Sequence, residues 1–571
     1  MPYYKFLKET IDKTLTLLVK SDIIENCPEI FKYSIEQVPD NKFGQVSTNV
    51  LMINSKRSKM NFSEFGNIFL KKISNLAEFE NIKIVEPGFL NFEFKNSFWQ
   101  NELYEMLLSN QKIDKRKFKK KRVNIEFVSA NPTGLMHIGH ARGAILGDTI
   151  ANLFIEAGYE VDKEYYINDA GNQIDVLINS VIYYCNKLSD KNIKEPEEYY
   201  SGKYIENIAK YFLDNNDIIN LKNDKRLRDL IVENIIKDIK MDLKNLGVIH
   251  NYFISEKEIA TKNNVNLVIK KLLNKGLAYE GFSKKPLGKT DDNWKPEKQL
   301  LFKSESIDDD KDRTLIKPNG DLTYFMSDII YHSTKIDRKY DLLLNVWGID
   351  HSGYVKRIKN AISSLFGDNF EFNIELTALV NLIQNKKPIK MSKRKGSFIT
   401  LREVIDDVGK DVLRFMMVSR KSDKVIDFDF DKVKEQSKDN PIFYVKYAHA
   451  RCCSIERMSK SNNVKDEEFE KYFKYLILPE EINLIIMLSN YLNIIESCII
   501  KLEPHRLTNY LYDLAKLFHT YYSQGSKDSS KRIILDDNKF LMFARVGLIK
   551  VVKKIICNGL LILNIKAPKK M

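Results

Sequence analysis

Two histidines three positions apart, His137-Ile138-Gly139-His140, lie in the segment Val123 to Asp148, whose pattern puts them where phosphate is readily bound. Upstream, Val123, Ile125 and Phe127 alternate with Asn124 and Glu126, the period of a strand, and Asn131-Pro132-Thr133-Gly134 ends it with turn-forming residues. Downstream, Leu146, Ile150, Leu153, Phe154 and Ala157 recur at helical spacing, with Gly158 placed to end the helix. The histidines therefore fall at a helix N-terminus, where free backbone N–H groups and the positive end of the helix dipole attract an anion. Gly139 leaves room for a flat base against the backbone. Taken alone, the same histidines read first as caps or core residues, because short strings match by chance.

A second element adds to the first. Pro388 to Gly396 reads PIKMSKRKG, after the alternating run Ile374, Leu376, Ala378, Val380, Leu382, which predicts a strand. By itself the basic loop is a solvated turn. Paired with the histidine loop, it is a cationic arm able to fold over a triphosphate and neutralise charge developing on a leaving pyrophosphate.

The two elements, in this order and each in a strand–loop–helix context, resemble the paired signatures of class I aminoacyl-tRNA synthetases. The strings SANPTGLMHIGHARGA, YYINDAGNQ (Tyr165 to Gln173), GDLTYFMSD (Gly320 to Asp328) and VWGIDHSGY (Val346 to Tyr354) resemble the arginyl-tRNA synthetase family, bacterial type. The likeness spans nearly the whole chain, from FGQVSTNV at Phe43 to APKKM at the C-terminus. Two departures stand out. Gly134-Leu135-Met136 replaces the usual Gly-Pro-Leu, and Gly44-Gln45 replaces a frequent Gly-Asp, which puts one contact of the N-terminal domain with tRNA in doubt.

The resemblance implies a reaction: arginine is activated with ATP to arginyl-adenylate and passed to the 3′ end of tRNA, with AMP and pyrophosphate released. An arginine enzyme must hold a planar, permanently charged guanidinium, which a carboxylate pairs with best. Asp328 is the candidate, with Tyr324 one helical turn earlier on the same face; ordinary capping at a helix start is the alternative for both. Ser129 and Asn131 are expected to accept from the α-amino group, His140 to hold the carboxylate, and His137 to meet ATP phosphate. His351 is a further amino-group contact, and Glu126 either contacts the ligand or braces the loop. The expected ATP site comprises His137, Gly139, His140, Lys390, Met391, Ser392 and Lys393, with Lys390 and Lys393 acting beside the histidines in catalysis. Mg²⁺ is expected to accompany ATP without a dedicated protein cage.

The expected fold is a multidomain α/β plus all-α chain: an N-terminal α/β tRNA-contacting domain at 1–115, a Rossmann-type doubly wound parallel sheet at 116–400, a stem at 401–435 and a helical anticodon-binding bundle at 436–571. Asp291 to Asp310, polar and irregular, reads as an insertion with no core, and Lys115 to Arg122 as a solvated basic linker. In the bundle, Ile442, Val445, Ala448, Cys452 and Ile455 predict a buried face and Tyr444, Tyr447 and Arg451 another stripe. Such a stripe can stack on unpaired bases or simply be half-buried packing. The resemblance adds Met571, at the extreme C-terminus, to the tRNA contacts.

Composition is compatible. The 571 residues carry 91 Lys and Arg against 77 Asp and Glu, a net charge of +14 that suits an RNA partner. The six cysteines lack any CxxC pair, so zinc and a disulfide framework are not indicated, and reduced core thiols are expected. The amphipathic, charged start is not a secretory signal, and no run is read as a membrane span. A cytoplasmic monomer is expected. The rivals are another class I synthetase, such as a cysteine enzyme, and a catalytically silent RNA-binding paralogue.

Overall fold

Five parallel strands form the central sheet in the order Glu371–Thr377, Leu342–Gly348, Arg122–Phe127, Glu160–Ile167, Tyr252–Ser255. The computed structural model describes every residue except 1–2, 39–42, 75, 190–192, 215–224, 283–296, 306–308, 390–398, 436, 438 and 460–463. The chain starts at the middle strand, winds outward to Tyr252–Ser255, then returns to build the other side from Leu342 onward. This is the doubly wound order, and its switch point lies between Arg122–Phe127 and Leu342–Gly348, where ligands bind at carboxyl ends.

The middle strand is covered on both faces, so its alternating polar residues are buried as well. Asn124 donates to Glu164 Oε2 at 2.9 Å, and Glu126 is ion-paired to Lys335. The helix Ile138–Glu156 packs on this strand through Gly147, where a Cβ would lie 2.3 Å from the Phe127 ring. Gly158 follows that helix with φ +89°, as its stop position requires.

Two sequence expectations are corrected. The run Ile374 to Leu382 is not one strand: Glu371–Thr377 edges the central sheet, whereas Val380–Gln384 pairs with Ile426–Asp429 and Lys387–Pro388 in another. At the break the buried Arg142 guanidinium donates to the carbonyls of Ala378 (2.8 Å) and Leu379 (3.4 Å). The stretch Asp291 to Asp310 is not coreless either. Lys298–Phe302 is the middle strand of an antiparallel sheet with Ala278–Phe282 and Arg313–Ile316, and Phe302 is buried with Phe325, Met326 and Ile329. Its flanking charges hid a short apolar core.

The N-terminal region folds as a four-stranded antiparallel sheet, in the order Ile35–Gln37, Val46–Thr48, Phe89–Phe94, Phe79–Val85, with helices that include Tyr3–Lys20 and Phe62–Ile73. Gln45 is turned inward: its Oε1 accepts from Phe94 N–H (2.8 Å) and Trp99 Nε1–H (2.9 Å). The basic run that follows is largely engaged, with Lys117 paired to Glu496, Lys120 to Glu160 and Lys121 to Glu371.

The C-terminal region is a helical bundle that includes Pro441–Met458, Pro479–Ser489, Tyr491–Lys501, His505–Lys527 and Lys539–Ile562. Contrary to the sequence reading, Pro479–Lys501 is long and apolar enough to cross a membrane, but it divides into two helices at Asn490 and half of it is buried inside the protein. Four cysteines are buried as expected, whereas Cys27 is half-buried and Cys557 exposed. The fully buried Arg414 joins three regions, pairing with Asp148 of the helix Ile138–Glu156 and donating to the Leu563 carbonyl (2.6 Å) and the Leu246 carbonyl (3.3 Å).

Candidate active site

At the carboxyl ends of the strands flanking the switch point lies a cavity of about 510 Å³. It begins where the middle strand is broken by two left-handed residues, Val128 (φ 74°) and Ser129 (φ 41°). A β-branched residue in that region is strained, and the turn it makes has a use here. It aims Ser129 Oγ at the cavity, donating to Glu126 Oε1 and accepting from Tyr166 N–H, each at 3.1 Å.

Ser129, Asn131, Tyr324, Asp328 and His351 all line this cavity, together with Glu126. Asn131 is held by Gln173 at 2.8 Å, and His351 is exposed beside Asp350. The helix Tyr324–Asp337 is capped by Thr323, whose hydroxyl accepts from Met326 N–H at 3.3 Å, so neither Tyr324 nor Asp328 is consumed as its cap. Tyr324 is 66 % exposed at the rim. Asp328 Oδ2 accepts from Tyr354 Oη–H at 2.7 Å, and Tyr354 stacks on Trp347. Desolvation raises the Asp328 pKa to about 7, against the Tyr354 hydrogen bond and with help from Glu126 and Glu256.

Glu126 is both lining residue and brace. Its Oε2 lies 2.7 Å from Lys335 Nζ, and both side chains are buried. Nearby, His332 Nδ1 bonds the Asp328 carbonyl (2.7 Å) and Nε2 meets Asn345 (2.9 Å); desolvation lowers its pKa to about 3, so the ring is neutral.

The signature histidines do not line the cavity; they lie at the start of the helix Ile138–Glu156. His137 is its N-cap, with its N–H 3.3 Å from His140 Nδ1, and the two rings stack with centroids 3.8 Å apart. A Cβ on Gly139 would come within 3.0 Å of the His137 ring, so the glycine leaves space for that stack. His137 is bridged to Thr400, and Leu401 N–H donates to the Met136 carbonyl at 2.8 Å. Lys390, Met391, Ser392 and Lys393 lie outside the described residues; the flanks of that stretch are Ile389, bonded to Leu382, and Ile399.

On the helix Pro441–Met458, Ile442, Val445, Ala448, Cys452 and Ile455 are buried, while Tyr444, Tyr447 and Arg451 form a half-buried stripe. Arg451 donates to Tyr447 Oη (2.7 Å) and His519 Nδ1 (2.9 Å) and lies over the Tyr447 and Tyr522 rings. The tail is tied to the same helix, His449 to the Pro568 carbonyl (2.8 Å) and Arg457 to that of Lys569 (3.2 Å), leaving Met571 exposed.

The sequence reading assigned no role to Tyr166, Gln173, Glu256 or Tyr354, all of which line the cavity. Three of them sit in the quoted strings YYINDAGNQ and VWGIDHSGY, which carried the signal unread. Glu256 follows Tyr252–Ser255, a strand the sequence reading did not recognise.

Three family profiles tile the chain: "Arginyl tRNA synthetase N terminal domain" matches residues 5–94, "tRNA synthetases class I (R), catalytic domain" 102–453, and "DALR anticodon binding domain" 445–571. The chain belongs to the arginyl-tRNA synthetase family. Arginine–tRNA ligases of Pelagibacter ubique and Ehrlichia ruminantium are 40 % and 42 % identical to it, over 98 % of this chain in each case and 99 % and 97 % of theirs. Among solved structures, a putative arginyl-tRNA synthetase of Campylobacter jejuni is 28 % identical with a TM-score of 0.72, over 84 % of this chain and 100 % of that one. The arginyl-tRNA synthetase of Thermus thermophilus shares the fold, with a TM-score of 0.75 at 18 % identity, over 99 % of this chain and 100 % of that one. Arginine, ATP and tRNA are the substrates of an arginyl-tRNA synthetase, and the cysteine-enzyme rival is set aside by the arginine-specific profiles.

Proposed function

We propose that this chain activates arginine with ATP and transfers it to tRNA, with the switch-point cavity as the amino-acid site. The observation that carries the reading is Asp328: a carboxylate desolvated in a cavity, steadied by the Tyr354 hydroxyl, without a basic side chain in salt-bridge distance among the described residues. A half-buried, desolvated carboxylate in that state gains most from a guanidinium. Tyr324 covers the guanidinium from the rim; Ser129, Asn131 and His351 receive the α-amino group.

His140 orients the arginine carboxylate, and His137 meets phosphate at the helix N-terminus. A carboxylate oxygen of arginine attacks the α-phosphorus of ATP in line, and pyrophosphate leaves; a 3′-terminal ribose hydroxyl of tRNA then takes the arginyl group and AMP leaves. Catalysis is positioning and charge stabilisation. Gly139, Met391 and Ser392 border the ATP, and Lys390 and Lys393 neutralise the leaving pyrophosphate. Mg²⁺ would accompany ATP on its phosphates.

The Tyr444, Tyr447 and Arg451 stripe, with Met571, meets the tRNA. The division at 1–115, 116–400, 401–435 and 436–571, a monomeric state, a cytoplasmic location without membrane association, and adenylate formation that depends on bound tRNA belong to the same proposal. The deciding experiment is arginine binding by calorimetry to Asp328→Ala: loss of measurable binding supports the site, and wild-type binding places the guanidinium elsewhere.

A further inference from the structure

Gly134-Leu135-Met136, the departure just before the first signature histidine, does not line the cavity, yet the turn it belongs to is held from outside the central sheet. With Leu135 where a proline would fix φ, no ring restrains the chain at that position. Three loop carbonyls are held by donors instead: Ala130 by Tyr165 Oη–H at 2.8 Å, Thr133 by Tyr204 Oη–H at 2.9 Å, and Met136 by Leu401 N–H at 2.8 Å. Tyr165 belongs to the sheet strand Glu160–Ile167, and Leu401 opens the stem helix Leu401–Val408. Tyr204 comes from neither; it sits in the first turn of the helix Lys203–Asp214.

The Tyr204 contact is close and largely withdrawn from solvent. Thr133 is buried, and a Cβ on Gly134 would lie 3.2 Å from Tyr204 Oη and 3.3 Å from its Cζ, so the phenol end rests against the bare face of that glycine. Burial, with Tyr200 and Tyr184 adding to it, pushes the phenol pKa well above its ordinary value, so the hydroxyl remains a donor. The helix behind it is anchored: Ile205, Ala209 and Phe212 are buried, and Cys185 Sγ of the helix Asn172–Leu188 donates to the Ala209 carbonyl at 3.6 Å. Removing the phenol hydroxyl would leave a buried carbonyl unsatisfied, and the turn would relax toward another donor.

We infer that Tyr204 is a positioning residue: its hydroxyl on the Thr133 carbonyl and its ring end on Gly134 fix the turn that aims His137 and His140 at ATP, so that it acts on adenylate formation through the histidine loop. This rests on the phosphate role proposed for those histidines. A misplacement of about 1 Å at a reacting group can slow a reaction about 100-fold, so one hydrogen bond on the turn is enough to be read in the rate. The arginine end is held separately, Asn131 by Gln173 at 2.8 Å and Asp328 on the helix Tyr324–Asp337. The effect therefore falls on the ATP step and not on arginine affinity.

The experiment is single-turnover adenylate formation by the full-length protein with tRNA present, for wild type, Tyr204→Phe, His137→Ala and the double variant, with arginine affinity measured by calorimetry. Tyr204→Phe, which removes only the hydroxyl, is expected to slow adenylate formation by about tenfold or more and to leave arginine affinity within about twofold. In the His137→Ala background the same change is expected to slow the step by no more than about twofold, because both act through one loop. A full multiplied loss in the double variant overturns the inference. A wild-type rate in Tyr204→Phe, with His137→Ala slow, overturns the role of Tyr204 and leaves the histidine role standing, whereas wild-type rates in both overturn the histidine role as well. If Tyr204→Phe does not fold, Gly134→Ala sets a methyl against the retained hydroxyl: a slowed rate with arginine affinity kept supports the inference, and an unchanged rate overturns it.

Discussion

Lys335 Nζ lies 2.7 Å from Glu126 Oε2 with both side chains withdrawn from solvent, and the same ammonium reaches Asn345 Oδ1 at 3.1 Å and lies over the Tyr331 ring. The pair ties the helix that bears Asp328 to the strand Arg122–Phe127 that leads to Ser129, so two walls of the cavity are joined by one buried ion pair. Lys335→Met leaves Glu126 buried and uncompensated. A loss of about 3–5 kcal/mol in unfolding free energy is expected by denaturant titration, and a loss below about 1 kcal/mol would mean that the pair is not the brace described.

Burial sets the ionisation of Asp328 against the fold, and the proposed arginine role draws on that. Its carboxyl ionises near 3.8 when unfolded and at about 7 when folded and empty. With the folded pKa raised, its favourable contribution is complete below pH 4 and is lost as the pH rises through 7. Asp328→Asn removes that loss, so at pH 8 the variant is expected to unfold at a higher temperature than wild type while failing to bind arginine. A lower unfolding temperature at pH 8, with the variant folded, would show that the carboxylate is not held at a cost.

The same ionisation governs the pH dependence of substrate use. Arginine needs the ionised carboxylate, so KM for arginine should fall as pH rises from 6 to 8, by about tenfold from the ionised fraction alone. KM for ATP serves as the control and should not follow that curve. A flat arginine profile would remove Asp328 from the recognition step.

The proposed mechanism sets the histidine loop and the lysine loop on the phosphates. His137→Ala and Lys393→Ala are expected to slow adenylate formation by about 100-fold or more with arginine affinity nearly unchanged. Rapid-quench measurement with tRNA present tests this, and an unchanged rate would remove the assigned role.

Arg451 is engaged inside the bundle, since its donors hold Tyr447 and His519, and desolvation keeps His519 neutral with a pKa of about 4. It therefore shapes the aromatic stripe. Arg451→Ala should weaken tRNA binding by about tenfold or more by releasing stacked rings, with arginine binding unchanged. Equal tRNA affinity would confine the stripe to packing.

Much of this was legible in the residues. The strand–loop–helix around His137 and His140 is local, so period and turn chemistry predicted it, down to the stop at Gly158. What failed was non-local. The run Ile374 to Leu382 keeps one alternation through two sheets, and the break is marked only by partners distant in sequence, Arg142 among them. The strand Lys298–Phe302 was masked by neighbouring charge, and Glu256 joins the cavity only through sheet pairing of the strand before it. Gln45 reads in the sequence only as a departure that puts one tRNA contact in doubt; its inward bond from Trp99 is a non-local packing feature that no local pattern signals.

The most direct test of the account is ATP–pyrophosphate exchange by the purified protein with each of the twenty amino acids, with and without total tRNA. Exchange with arginine alone, and only when tRNA is present, is the predicted result. Exchange with a different amino acid, or none under any condition from folded protein that binds tRNA, would contradict it.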